Sequence, residues 1–273
     1  MGFVTSGMGL TRNRVSELIK AGLDFVGFSI SGTRPETHDT IRVNSHLPEI
    51  LNAIRFFNEE KLQQGLVYPK MHLVFLMLKD NINEVPLVPS LAKEIGIEEA
   101  VLTNICHTIN VWQERSRVFD CEKRENPYEE IVKQAEANAR KLNIRLKRPS
   151  LSAIDVAVCE ENPLENLYIS SDGEVSPCVY LYPPLSSPFK RIFCEKDYWI
   201  EKVSFGNIFK DPLHAIWSGV NYEQFRNQFM ERRKGLRDLY FSLLDSPKMK
   251  TSKGYVLPEP PKPCKTCHKI LGV

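Results

Sequence analysis

The feature that most constrains this chain is an apolar run, MHLVFLML (Met71–Leu78), interrupted only by His72. Its length suits a strand, and apolar residues at both alternate positions predict a parallel strand buried on both faces. Phe3–Ser6 reads as a shorter strand, followed by the turn residues Gly7 and Gly9. Thr11 is a good N-cap, and Val15, Leu18 and Ile19 then fall at helical spacing until Gly22 stops the helix. Asp24–Ile30 (DFVGFSI) predicts a second strand, and Leu47–Gln64 a helix with Ile50, Leu51, Ile54 and Phe57 on one face. Val85–Ile95 predicts another helix and Glu99–Asn104 (EAVLTN) a fourth strand. Strands alternating with helices at this spacing mean right-handed βα units and an α/β fold.

After Ile105 the pattern changes. Residues 106–126 are polar and irregular, Pro127–Leu142 reads as a helix and Ile144–Lys147 as a short strand. Beyond Leu151 the chain predicts two short strands around Asp172-Gly173, a hairpin signal. Asn221–Leu244 predicts a long helix, with a break expected near Gly235, and the tail PEPPKPCKTCHKILGV is a proline-rich arm. The expected division is residues 1–150 as one domain and 151–273 as a second, cysteine-rich one.

Four of the seven cysteines stand out. Cys159 and Cys178 frame a C-x13-G-x4-C pattern around Gly173, and Cys264 and Cys267 form C-x2-C. Two residues between cysteines let both sulfurs face one centre from a tight turn, and two more thiolates from a distant segment complete a tetrahedral set. Pro177 and Pro263 stiffen the approaches. Zinc and iron–sulfur clusters both accept four thiolates, so spacing leaves the metal open. His268 is poorly placed for the same centre as Cys267, its neighbour in sequence. Cys106, Cys121 and Cys194 lie in irregular stretches and read as structural or incidental.

Composition excludes some classes. With 36 basic and 34 acidic residues, the formal charge of +2 argues against a nucleic-acid surface as the main role. No apolar run approaches the roughly 20 residues of a membrane span. Seven cysteines behind an N-terminus without signal-peptide character predict a reducing, cytoplasmic setting with thiols serving metals or catalysis.

Read together, the two halves resemble radical S-adenosylmethionine (SAM) enzymes with a C-terminal SPASM or twitch-type extension. The residues carrying the resemblance are TSGMGLT (Thr5–Thr11), AGLDFVGFSISGTRPETHDTIR (Ala21–Arg42) and LMLKDNINEVPLVPSLAKEIGIEEAVLTN (Leu76–Asn104). In the C-terminal half they are C-x13-G-x4-C, FGNI (Phe205–Ile208), AIW (Ala215–Trp217), YEQFR (Tyr222–Arg226) and CKTC (Cys264–Cys267). The resemblance implies an incomplete (βα)6 partial TIM-type barrel followed by a small iron–sulfur domain. In that family a 4Fe-4S cluster binds SAM, and one electron cleaves it to a 5′-deoxyadenosyl radical that abstracts hydrogen from a substrate. By position the resemblance implies that Ser29 contacts the SAM ribose, Arg42 pairs with its carboxylate and Asn104 is a further polar contact. Cys159, Cys178, Cys264 and Cys267 would hold one auxiliary 4Fe-4S cluster.

The sequence departs from the family in three places. The C-x3-C-x2-C motif of the SAM-cleaving cluster is absent, so a second 4Fe-4S cluster is expected on a missing N-terminal part. The chain then reads as a fragment inactive by itself, or as one completed by a polypeptide supplying the missing barrel half. A full SPASM module also has further cysteines after C-x2-C, and Ser31 stands where the family has an aspartate. The implied activity is an oxidoreductase or maturase acting on a peptide, protein or cofactor precursor with an electron donor, and without nucleic acid or membrane. No catalytic residue is singled out. The alternative is a non-catalytic zinc or iron–sulfur scaffold. Residues 106–126 and the aromatic stretch Tyr180–Trp199 are expected to shape a substrate pocket.

Overall fold

The computed structural model describes residues 1–122, 125–245 and 256–273. Lys123 and Arg124, inside the expected pocket-shaping segment, lie outside the described residues. Among these residues the chain divides into two compact units, one of residues 1–105, 116–120 and 125–151, the other of 106–115, 121–122, 152–245 and 256–273.

The first unit is built on five parallel strands in sequential order: β1 (Gly2–Thr5), β2 (Phe25–Ile30), β3 (Lys70–Met77), β4 (Glu99–Asn104) and β5 (Arg145–Lys147). Between them run α1 (Arg12–Lys20), α2 (Pro35–Ile41), α3 (Leu47–Gln64) and α4 (Val88–Glu94). After β4 come α5 (Val111–Ser116) and α6 (Glu129–Leu142). The Thr11 side chain caps α1 by accepting from the Arg14 N–H at 3.4 Å, as the sequence predicts. The helix predicted at 85–95 starts instead as a 3-10 turn (Ile82–Leu87), because Pro86 and Pro89 remove backbone donors there.

Burial corrects one expectation. Along β3, Met71, Leu73, Phe75 and Met77 are buried while His72, Val74 and Leu76 are only half-buried. The continuous apolar run therefore does not mean equal burial on both faces. Only the face bearing Val26, Phe28, Ile30, Leu73, Phe75, Ala100 and Leu102 joins the core with the helices, through Val15, Ile50, Ile54, Phe57 and Val132. Ser29, paired in register with Val74, sits on the other face.

The second unit has two small antiparallel hairpins, β6 (Tyr168–Ile169) with β7 (Val175–Ser176), and β8 (Phe189–Phe193) with β9 (Lys196–Ile200). It also holds α7 (Leu213–Trp217) and α8 (Val220–Asp245), which runs through Gly235 without the expected break. Its apolar residues form two small clusters, one around Leu181, Phe225 and Phe229, the other around Val175, Ile216 and Tyr222. Among the described residues no helix is long and apolar enough to cross a membrane.

Candidate metal centre and strand-end site

The β6–β7 hairpin delivers Cys178. Its turn depends on Gly173, which adopts φ +82° and where a Cβ would lie 2.6 Å from the Phe209 ring. Ser176 Oγ then donates to the Cys178 carbonyl at 3.2 Å, and the Leu181 N–H closes a 3-10 turn on the same carbonyl. Cys264 ends the 3-10 turn Lys262–Cys264, and the Cys267 N–H donates to the Cys264 carbonyl at 3.1 Å. This is the tight turn that C-x2-C requires. Cys159 opens a turn closed by the Asn162 N–H on its carbonyl at 2.9 Å.

The three segments meet. Cys159, Cys178, Cys264 and Cys267 line one small cavity whose wall also includes the apolar Leu181 and Phe229. Burial, followed by the nearness of the other cysteines, pushes the Cys159 thiol up to about 11 and raises Cys178 and Cys264 as well. Burial raises Cys267 too, against the opposing charge of Arg191. Four sulfurs gathered on one small buried cavity, with Glu161 and Lys269 also on its wall, stay protonated unless a cation replaces the protons, which is the donor set of a tetrathiolate metal or iron–sulfur site. The residues fit such a centre.

Two arginines that the sequence reading missed hold these segments together. Arg191, only 1% exposed on β8, donates from Nη2 to the Tyr180 carbonyl at 2.6 Å and from Nη1 to the Pro263 carbonyl at 3.0 Å. It thereby ties the 3-10 turn after Cys178 to the 3-10 turn that ends in Cys264. Arg232 on α8 donates to the carbonyls of Val156 (2.8 Å), Ala157 (3.2 Å) and Pro258, joining the approaches to Cys159 and Cys264. Only the pleat of FKRIF hints at this role, because it puts Arg191 on the same face as Phe189 and Phe193.

Cys121 and Cys194 form a disulfide, whereas the other five cysteines carry thiols. That pairing gives Cys121 and Cys194 a structural role, although a reducing compartment favours thiols over disulfides.

At the strand ends of the first unit, the structure brings Ser29 and Arg42 together. The Arg42 guanidinium donates to Ser29 Oγ from Nη2 and to Ser31 Oγ from Nε, each at 2.7 Å. Burial lowers the Arg42 pKa, and among the described residues no carboxylate lies within ion-pair distance of it. Ser31, standing where the resemblance expects an aspartate, is fully buried; its N–H donates to His38 Nδ1 at 3.1 Å and its carbonyl accepts from Asn81 at 2.9 Å. Gly32 lets α2 approach this strand end, since a Cβ there would sit 2.5 Å from the His38 backbone nitrogen. Asn104 ends β4, and its Nδ2 donates to the Ser150 carbonyl at 2.9 Å.

Residues 159–239 match the SPASM family, described as an iron-sulfur cluster-binding domain. The match includes Cys159 and Cys178 and ends before Cys264. A curated relative from Pyrococcus furiosus, the tungsten-containing aldehyde ferredoxin oxidoreductase cofactor-modifying protein, is 24% identical over 227 residues, covering 83% of this chain and 61% of the relative. Streptococcus suis SuiB bound to its precursor peptide SuiA has a TM-score of 0.52 at 12% identity, over 82% of this chain and 49% of that one. The structure of anSMEcpe with bound AdoMet gives 0.51 at 14% identity, over 82% and 55%. The chain thus spans about three fifths of the curated relative and about half of these solved structures. The α/β class with a parallel sheet is as the sequence predicts. Residues 159–239 thus match a family described as an iron-sulfur cluster-binding domain, and the fold of the chain resembles those of SuiB and anSMEcpe.

Proposed function

We propose that this chain is the strand-end and auxiliary-cluster part of a radical SAM/SPASM-type maturase, acting on a peptide, protein or cofactor precursor. Residues 1–150 would be its partial barrel and 151–273 its cluster domain. The observation that carries the reading is the convergence of Cys159, Cys178, Cys264 and Cys267 on one cavity, partly within a SPASM match. The substrate class follows from relatives: one is named for modifying a cofactor and another was solved with a precursor peptide.

In this reading the four thiolates hold one 4Fe-4S cluster, which when bound supplies one-electron transfer. Arg191 and Arg232 fix the segments bearing the thiolates, and Leu181 and Phe229 form the apolar part of the cavity wall. Arg42, held flat by two hydroxyls, offers its remaining N–H groups to the SAM carboxylate, and Ser29 contacts the ribose. Asn104 positions the loop at Ser150 and gives a further polar contact. SAM cleavage itself is assigned to an assembly that supplies a C-x3-C-x2-C motif, together with an electron donor.

The deciding measurement is iron, zinc and acid-labile sulfide per chain after anaerobic reconstitution, with and without Cys264→Ala. About four irons and four sulfides per chain, lost in the variant, is the expected result. Stoichiometric zinc without sulfide would replace this reading with a structural scaffold.

A further inference from the structure

The second unit contains another sulfur–nitrogen cluster, separate from the four-cysteine cavity. The sulfurs of Cys121 and Cys194 and a ring nitrogen of His268 all lie within 4.8 Å of one another. Although His268 follows Cys267 in sequence, its ring serves this second cluster.

Three observations make the cluster more than a cystine with a neighbour. First, the His268 ring is fully buried and its Nδ1 lies 3.2 Å from the Cys106 carbonyl oxygen. A carbonyl only accepts, so Nδ1 carries the proton and the lone pair of the neutral ring is on Nε2. Such a carbonyl contact is how proteins orient a metal-binding imidazole. Packing against Phe193, with ring centroids 5.0 Å apart, holds the ring in place.

Second, Cys194 occupies a position that disfavours it. It and Glu195 form the two-residue turn between β8 and β9, with φ of +48° and +67°. Such turns favour Asn-Gly, because other residues are strained at positive φ. A cysteine followed by a glutamate is a poor choice for the turn itself, so the sulfur is what the position supplies.

Third, the turn is braced. The Glu195 N–H donates to Glu114 Oε1 at 3.0 Å, Thr108 Oγ1 donates to Glu114 Oε2 at 3.0 Å, and the Ile192 N–H donates to the Thr108 carbonyl at 2.7 Å. These bonds do not involve the disulfide. They fix the position of Cys194 on the hairpin in either redox state.

We propose that Cys121, Cys194 and His268 form a redox-gated zinc-type site: closed by the disulfide when oxidised, and able to bind a divalent metal when reduced. Both cysteines are half-buried, so an external dithiol can reach them. The dithiol gives two electrons and two protons to the disulfide, becoming a disulfide itself and leaving Cys121 and Cys194 as thiols. A divalent zinc ion then displaces the two thiol protons. Two thiolates balance its charge, the neutral imidazole is the third ligand, and water takes the fourth position.

The test loads the four-cysteine site with iron and sulfide, then divides the full chain into an oxidised half and a half treated with a phosphine reductant. Each half is desalted and titrated anaerobically with cobalt(II), and the readout is the difference between them. The expected difference is about one equivalent of cobalt with thiolate-to-metal charge-transfer absorption. It should vanish in Cys121→Ser and Cys194→Ser and persist in Cys159→Ala, so that failure of the cluster reading and failure of this one are distinguishable. Equal uptake by the two halves of wild-type protein, a disulfide that survives the reductant, or an undiminished difference in Cys194→Ser would each overturn the proposal. The wild-type comparison needs no variant to fold.

Discussion

The two units of this chain are held together by different physics. The first has one large apolar core, in which alternate residues of β2, β3 and β4 meet the inner faces of the helices. The second has two small apolar clusters and depends on point fastenings: two buried arginines, a disulfide and four converging cysteines. A large core distributes stability over many interchangeable contacts, whereas a small one concentrates it in a few irreplaceable ones.

The sharpest way to break this contrast is to damage each unit separately. Phe75→Ala removes a fully buried ring from the first core and should cost about 3–5 kcal/mol. Amide exchange should accelerate along β2, β3 and β4 while iron retention by the cysteines stays unchanged. Loss of iron together with core protection would mean that the units are not energetically separate.

Arg191→Met should do the reverse. It leaves the Tyr180 and Pro263 carbonyls without their guanidinium donor and should destabilise by about 2 kcal/mol, the relief of burying a charge offsetting part of the loss. Exchange should accelerate at Val179–Leu181 and Lys262–Cys264 and iron should dissociate faster, with β3 unaffected. Slow iron loss equal to wild type would show that the cysteine segments do not need the clamp.

The smallest effect sharpens the comparison through pH. His107 stacks edge-on against Tyr180 and Phe189, and its Nε2 is buried without a hydrogen-bond partner among the described residues. Burial, with the nearby Arg191 charge, lowers its pKa from 6.5 to about 4. Below pH 6.5 the unfolded chain takes up a proton that the folded chain refuses until about pH 4, so stability falls as pH falls through that window. The urea midpoint of the second unit should fall across this range, and more shallowly in His107→Gln; equal slopes would remove His107 from the account.

The same division explains what was legible in the sequence. In the first unit, α3 and β4 lie where apolar spacing puts them, because burial of one face of a regular element leaves a periodic trace. In the second, the β8–β9 hairpin within the aromatic stretch was not predicted, since its turn is Cys-Glu rather than a recognisable turn pair. The arginine clamps were invisible for a different reason. Arg191 bonds the Pro263 carbonyl 72 residues away and Arg232 the Val156 carbonyl 76 away, and a backbone carbonyl has no residue type to pair with. The convergence of the cysteines was legible because C-x13-G-x4-C and C-x2-C encode local turns, with Gly173 marking the place where the chain must reverse. The disulfide left no such mark: Cys121 and Cys194 are 73 residues apart and neither has a patterned neighbour.

Arg42 has a consequence of its own. Its fork is fixed by two neutral hydroxyls, so folding has already removed most of its water and frozen its rotamer without discharging it. An anion bound at this strand end, as proposed for the SAM carboxylate, would break no ion pair among the described residues and order no side chain; the entropic cost of recognition would then be transferred from binding to folding. Lysine, a point charge on a flexible stem, could not span both hydroxyls, and would return that cost to the ligand.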